Sequence, residues 1–296
     1  MQVPAQVEYE RATSVAHALT LLSRYAPGAR ILAGGHSLIP MMKLRLVQPE
    51  VLVDISRVSA LRYIELAGGE LRIGALATHA DLLGSRVAGQ HFPILHDAER
   101  VIADPVVRQW GTVGGSLCQA DPSEDLSAVF AALQGSMIIQ GPDGSREVPA
   151  RAFHAGPYET VVGPAELLTE IRLPVRLDSG SAYLKVKRRA GDWPIGAAGA
   201  AVWLAGGVLA EVGIGLTAVG AAHFVAAEAE EFLRGQPPSE QVFARAGEIA
   251  AGCCQPVSDQ RGPAEYKRHL ARELTARALR AAVSRAQGFD TQRLEP

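Results

Sequence analysis

Two short elements carry the residue types best suited to chemistry: Ala33-Gly34-Gly35-His36-Ser37 and Thr112-Val113-Gly114-Gly115-Ser116. Each follows an extended run, and each joins two glycines to a small hydroxyl residue. Glycine accepts positive φ and lets backbone N–H groups approach an anion directly, and a hydroxyl adds one more donor. Two such loops can clamp one diphosphate. Gly-Gly pairs also make plain turns, as expected at Gly68-Gly69 and Gly206-Gly207, so the pattern alone leaves both readings open. Neither loop is the Gly-x-Gly-x-x-Gly of a dinucleotide-binding strand–turn–helix, nor a phosphate loop ending in Gly-Lys-Ser/Thr. That disfavours a nicotinamide-dinucleotide domain and a nucleoside triphosphatase.

Other reactive residue types have plainer readings. Histidine is a candidate general acid or base, but no carboxylate adjoins His36 in sequence, which favours a positioning or backbone-capping role. Cys118 follows the second loop without a neighbouring Lys, Arg or His, and reads as a buried small hydrophobe rather than a nucleophile. Asp121, Glu124 and Asp125 could hold a metal or form an acid–base pair. Carboxylates on a helix's first turn complement its dipole, and that reading is the stronger. Asp121 suits the N-cap, Pro122 the first helical position and Glu124 the third, a capping box. Lys185, Lys187, Arg188 and Arg189, followed by Gly191-Asp192-Trp193, make a basic strand, either a solvated face or a set of cations beside an anionic ligand.

These residues need a scaffold. Residues 13–26 have helical apolar spacing with Thr13 or Ser14 as N-cap and Pro27-Gly28 as the stop. Strands at 30–33 and 51–55, with a short helical or extended segment at 37–46 between them, make the first sixty residues a β-α-β unit. Strands at 61–65 and 70–74 turn at Gly68-Gly69. Helices are expected from Thr78 to Leu83, with an Asp/His-rich surface, and from Pro93 to Ile102. A Gly-rich turn is expected at 111–117 and a further helix from 121. Short strands follow at 137–140, 147–148 and 170–173. Pro174 to Gly180 reads as a domain boundary. Beyond it come strands at 182–188, 199–204 and 208–216, then helices at about 223–234, 239–252 and 264–286. The uncharged stretch from Trp193 to Ala210 is rich in glycine and alanine and reads as a buried hairpin, not a membrane span. The last helix, with Lys267, Arg268, Arg272, Arg277, Arg280 and Arg285 on one side, reads as packed and amphipathic.

Composition narrows the function classes. The 296 residues are 48% hydrophobic and 20% charged, enough for real cores and too apolar for a disordered chain. With ~100–200 residues per domain, two domains are expected. Lys+Arg number 29 against 31 Asp+Glu, a net charge of −2, so no global positive field exists for sequence-blind nucleic-acid binding. Three cysteines without a Cys-x-x-Cys give neither an iron–sulfur cluster nor a structural zinc its usual ligands, and sparse unpaired cysteine fits a reducing cytoplasm. Residues 1–6 lack the basic and apolar regions of a secretory signal.

Taken together, the run from Ala33 to Arg45, the 112–116 loop with Asp121-Pro122 and Asp125, and Lys185-Val186-Lys187-Arg188 with Gly191-Asp192-Trp193 resemble a known family. So does Asp259-Gln260-Arg261-Gly262 through Glu265 to Leu270. This is the FAD-binding medium subunit of molybdenum hydroxylases, of the carbon monoxide dehydrogenase and xanthine dehydrogenase type. The resemblance covers about residues 5–285. It implies an α+β fold: a vanillyl-alcohol-oxidase-type FAD-binding domain at 1–175, with subdomains at about 1–57 and 58–175. A smaller α+β C-terminal domain at 176–288 and a tail at 289–296 complete the chain.

The resemblance also implies site residues. Ala33, Gly34, Gly35, His36 and Ser37, with Thr112, Val113, Gly114, Gly115 and Ser116, would hold the FAD diphosphate through backbone N–H groups. Asp125 would hydrogen-bond the cofactor, Ile102 and Leu168 would line it, and Lys185 would lie near the flavin ring. Ser116 stands where many relatives carry Asn. No catalytic residue is expected in this chain. The implied partners are a large subunit with the molybdenum cofactor, a small subunit with two [2Fe–2S] clusters, and an electron acceptor that is quinone, NAD or oxygen. The implied location is cytoplasmic, with the complex as the route to the inner face of the membrane. A stand-alone FAD oxidoreductase and a flavin-binding scaffold without redox turnover are the alternatives.

Overall fold

The computed structural model describes residues 3–289; Met1 and Gln2 of the stretch read for a signal, and 290–296 of the expected tail, lie outside the described residues. Three larger sheets organise the described residues, beside a two-stranded one at 154–160. In the first, strands Glu8–Arg11, Val51–Asp54 and Ala29–Leu32 lie side by side in that order, all parallel. The β-α-β unit is present, with one edge strand more than the sequence suggested. Glu8–Arg11 is charged and largely exposed, so it shows no apolar alternation. Helix Val15–Tyr25 packs Ala18, Leu21 and Leu22 inward, and the Ser14 hydroxyl accepts the His17 N–H at 3.1 Å as its N-cap.

The second sheet is antiparallel, ordered Ile64–Ala67, Glu70–Gly74, Leu167–Pro174, Ser136–Gly141, Gly144–Pro149. Its inner face packs under short helices through Leu71, Ile73, Met137, Ile139 and Ile171, against Leu95, Leu117, Leu126 and Phe130. The expected strand at 61–65 begins only at Ile64, because Ser59–Leu61 forms a helical turn. Helix Pro105–Trp110 was not expected from the sequence, whose six residues are too short for a periodic signal.

The third sheet is the antiparallel meander Ser179–Val186, Gly196–Ala205, Val208–Thr217, with the hairpin turning at Gly206-Gly207 as expected. Helix Ala264–Ala286 covers one face and helix Asp125–Ala132 the other. A Cβ on Gly213 or Gly215 would lie 1.9 Å from the carbonyl oxygens of Ala132 and Ala128, and one on Gly180 would lie 2.0 Å from that of Ala282. Helix backbones press on both faces of this sheet, which accounts for its alanine and glycine and for its lack of charge. Among the described residues no helix is long and apolar enough to cross a membrane.

Candidate functional site

The two glycine loops meet. A Cβ on Gly34 would lie 1.9 Å from the carbonyl oxygen of Trp110 and 3.1 Å from the Gly111 Cα, so the backbones of the first loop and of the approach to the second are in direct contact. Gly35 has φ +76°, a left-handed conformation that favours glycine and turns the chain from strand Ala29–Leu32 into helix Leu38–Lys43. Beside this junction opens a cleft of about 900 Å³. It lies within the range of about 300–1,000 Å³ typical of ligand and cofactor sites.

The structure brings nearly all the expected site residues to that cleft. Ala33, Gly34, Gly35, His36 and Ser37 line it, as do Thr112, Gly114, Gly115, Ser116, Ile102, Asp125, Leu168 and Lys185. Val113 does not: its side chain is fully buried in the core beneath. Residues 111–117 are not a turn. Thr112 caps helix Val113–Gln119, its hydroxyl accepting the Gly115 N–H at 3.1 Å. Helix geometry consumes donors. The N–H groups of Val113, Gly114 and Ser116 donate to the carbonyls of Ala77 at 2.9 Å, Ala75 at 3.0 Å and Thr112 at 3.0 Å. In the first loop, by contrast, the N–H groups of residues 34–38 have no protein acceptor among the described residues. The two loops, alike in sequence, offer different chemistry. One presents a run of backbone donors, and the other is a wall most of whose donors are spent.

Glu124, not Asp121, caps helix Asp125–Ala132. Its carboxylate accepts the N–H groups of Leu126 at 2.8 Å and Ser127 at 2.6 Å, and burial pushes its pKa up. The Ser116 hydroxyl donates to the same carboxylate at 3.0 Å, so serine at this position joins the second loop to the helix cap. Asp125, one residue on, faces the cleft. Its two oxygens accept from the Tyr183 hydroxyl at 2.6 Å and the Lys185 ammonium at 2.7 Å. The Lys185 side chain is 1% exposed, so its ammonium group is enclosed with its partner. Lys185 and Lys187 both approach the Val101 carbonyl at 3.3 Å, and Arg108 donates to that of Ile102 at 2.7 Å. Burial and the Lys185 charge hold the Lys187 pKa down. Cations thus gather behind the turn that presents Ile102 to the cleft.

Several placements depart from the sequence reading or were missed by it. Cys118 is exposed on the cleft wall rather than buried in the core. His36 lines the cleft, and no hydrogen bond to its ring exists among the described residues. Tyr183 was missed, although strand alternation puts it on the face of Lys185. His79, expected on a helix surface, is buried against Glu99. The spacing Leu95, Ala98, Glu99, Ile102 is the signal that would have placed Glu99 on the inward stripe of its helix.

Comparison with known proteins matches this geometry to a family. Residues 5–176 match the FAD binding domain in molybdopterin dehydrogenase, and residues 181–282 match the CO dehydrogenase flavoprotein C-terminal domain. The chain is 39% identical to the carbon monoxide dehydrogenase medium chain of Afipia carboxidovorans, over 96% of this chain and 99% of that one. It is 37% identical to the medium chain of Hydrogenophaga pseudoflava, with the same coverage. A solved structure of the Hydrogenophaga pseudoflava carbon monoxide dehydrogenase, lacking the Mo-pyranopterin moiety of its cofactor, superposes with a TM-score of 0.92 over 96% of this chain and 99% of that one, at 39% identity. The fold, the FAD-binding domain and these relatives together make the chain a member of the FAD-binding medium subunits of molybdenum hydroxylases, an oxidoreductase family.

Proposed function

We propose that this chain holds FAD in the cleft between its glycine loops and transfers electrons within a three-subunit complex. A large subunit oxidises the substrate at a molybdenum centre, and a small subunit relays electrons through [2Fe–2S] clusters. The chain passes them to an external acceptor: quinone, NAD or oxygen. The observation that carries this reading is the contact between the two loops at one cleft whose first loop presents a run of unspent backbone N–H donors. Such a run suits a diphosphate, which needs several converging donors at short range.

The residues present fit the cofactor. Residues 33–37 would hold it chiefly through their N–H groups, while 112–116 would shape the opposite wall, with Ile102 and Leu168 giving apolar contact. Asp125, itself held by the Tyr183 hydroxyl, fixes the Lys185 ammonium group, which places one oriented cation in a water-poor corner of the cleft. When bound, FAD supplies the exchange between one-electron and two-electron transfer, and the protein positions and tunes it. No residue here is assigned a step on the organic substrate, which is oxidised elsewhere in the complex. Domain limits of 1–175 and 176–288 and a cytoplasmic location complete the proposal.

The test is direct. Purified chain should be yellow, release FAD on denaturation, and rebind it. Mixed with a reduced [2Fe–2S] partner from a related complex, the bound flavin absorbance should bleach. A colourless chain that cannot be reconstituted would overturn the reading, and so would flavin reduction by an organic substrate without a partner.

A further inference from the structure

His79 and Glu99 form a buried pair that the proposed function does not use. His79 opens helix His79–Gly84, and Glu99 lies on helix Pro93–Val101. Glu99 is 0% exposed and His79 4%. The imidazole Nδ1 lies 3.0 and 3.1 Å from the two Glu99 oxygens. The other ring nitrogen, Nε2, has no protein partner among the described residues, and His79 lines the cleft. The ring edge is built into the wall at the second loop. A Cβ on Gly111 would lie 3.0 Å from Cδ2 and 3.5 Å from Nε2, and the His79 N–H donates to the Gly111 carbonyl at 3.0 Å.

The charge state follows from burial. A buried carboxylate is costly, which favours a pair that keeps one shared proton over a neutral ring donating to an ionised carboxylate. Two arrangements satisfy that: an imidazolium donating to a carboxylate, or a carboxylic acid donating to a neutral ring. In both, Nε2 carries hydrogen and is a donor. The surroundings act the same way. Burial raises Glu99; burial works against a charged His79, but the Glu99 charge, with Glu124 and Asp125 behind it, raises it. Arg108 opposes, through Glu99.

We infer that His79 is a further cofactor-contacting residue, presenting its Nε2–H across the cleft to an acceptor atom of the bound dinucleotide while Glu99 fixes the ring. The inference rests on the proposed function and adds a donor beside the second loop, where the N–H groups of residues 113–116 are already spent.

The test uses FAD-stripped full-length chain, titrated with FAD by fluorescence, and ¹⁵N-histidine NMR of the same protein. His79→Phe should weaken FAD binding about tenfold or more, since a charge-assisted hydrogen bond is lost. His79→Gln places an amide N–H near the Nε2 position and should stay within about threefold of wild type. In wild type, the protonated Nε2 resonance should shift on FAD addition. Should His79→Phe fail to fold, the glutamine variant and the resonance still decide. Equal affinity of both variants and wild type, or an unmoved Nε2 resonance at FAD saturation, overturns the inference. A wild-type chain that binds no FAD overturns the function proposal instead.

Discussion

Removing Asp125 should destabilise the chain more than its hydrogen bonds alone would suggest. Asp125 and Lys185 side chains are 5% and 1% exposed and 2.7 Å apart. In Asp125→Ala the ammonium group keeps, among the described residues, the Val101 carbonyl at 3.3 Å, and the Tyr183 hydroxyl loses its 2.6 Å acceptor. Breaking a buried pair by removing one partner costs about 3–5 kcal/mol, because the remaining charge stays buried and uncompensated. Lys185→Met strands the carboxylate instead, with Tyr183 its remaining side-chain donor among the described residues, and should cost a comparable amount. The double variant Asp125→Ala/Lys185→Met removes both charges and should lose no more than either single one, a coupling of roughly 3 kcal/mol. Urea unfolding of FAD-stripped protein, followed by circular dichroism at fixed m-value, measures each term. Single variants within about 1 kcal/mol of wild type, or a double variant equal to the sum of the singles, would refute the reasoning.

Other outcomes follow from the same geometry. Gly34→Ala drives a Cβ to 1.9 Å from the Trp110 carbonyl; overpacking of about 1–3 kcal/mol or more and a loss of FAD affinity are expected, whereas Gly89→Ala, with nothing within 4 Å, should leave FAD binding unchanged in the same titration. Ser116→Ala should cost about 1–2 kcal/mol in urea unfolding, because the buried Glu124 carboxylate loses a 3.0 Å donor; unchanged stability would show that the other caps suffice. His154 is buried, which lowers its pKa below the ordinary 6.5. Its neutral form is favoured by the fold, so this stability is complete above pH 6.5 and declines as pH falls toward the lowered pKa. His154→Gln should therefore flatten the decline below about pH 6.5 in thermal melts, and an unchanged profile would exclude His154 as its source.

The readable part of this protein was local. The helix of residues 15–25, its serine cap and its proline stop depend on neighbours within a few positions, as do the Gly206-Gly207 hairpin and the strands that flank it. The loops at 33–37 and 112–116 were legible as candidate sites because glycine and hydroxyl residues advertise close approach. Their division of labour was not. Whether a backbone N–H is spent depends on which carbonyl lies opposite, and for Val113 and Gly114 those belong to Ala77 and Ala75, more than thirty positions away. Asp121 accepts the Ser123 N–H at 2.8 Å, the helix begins only at Asp125, and Glu124 is its cap, joined by Ser116 across the bend. The pairs Asp125–Lys185 and His79–Glu99 span sixty and twenty positions, and only burial makes each charge require the other. Propensity and pattern act along the chain, whereas desolvation acts through space. Sequence alone therefore determined most of the elements and the chemistry on offer, and tertiary structure decided the remaining elements and which donors, charges and protons remain available in the cleft.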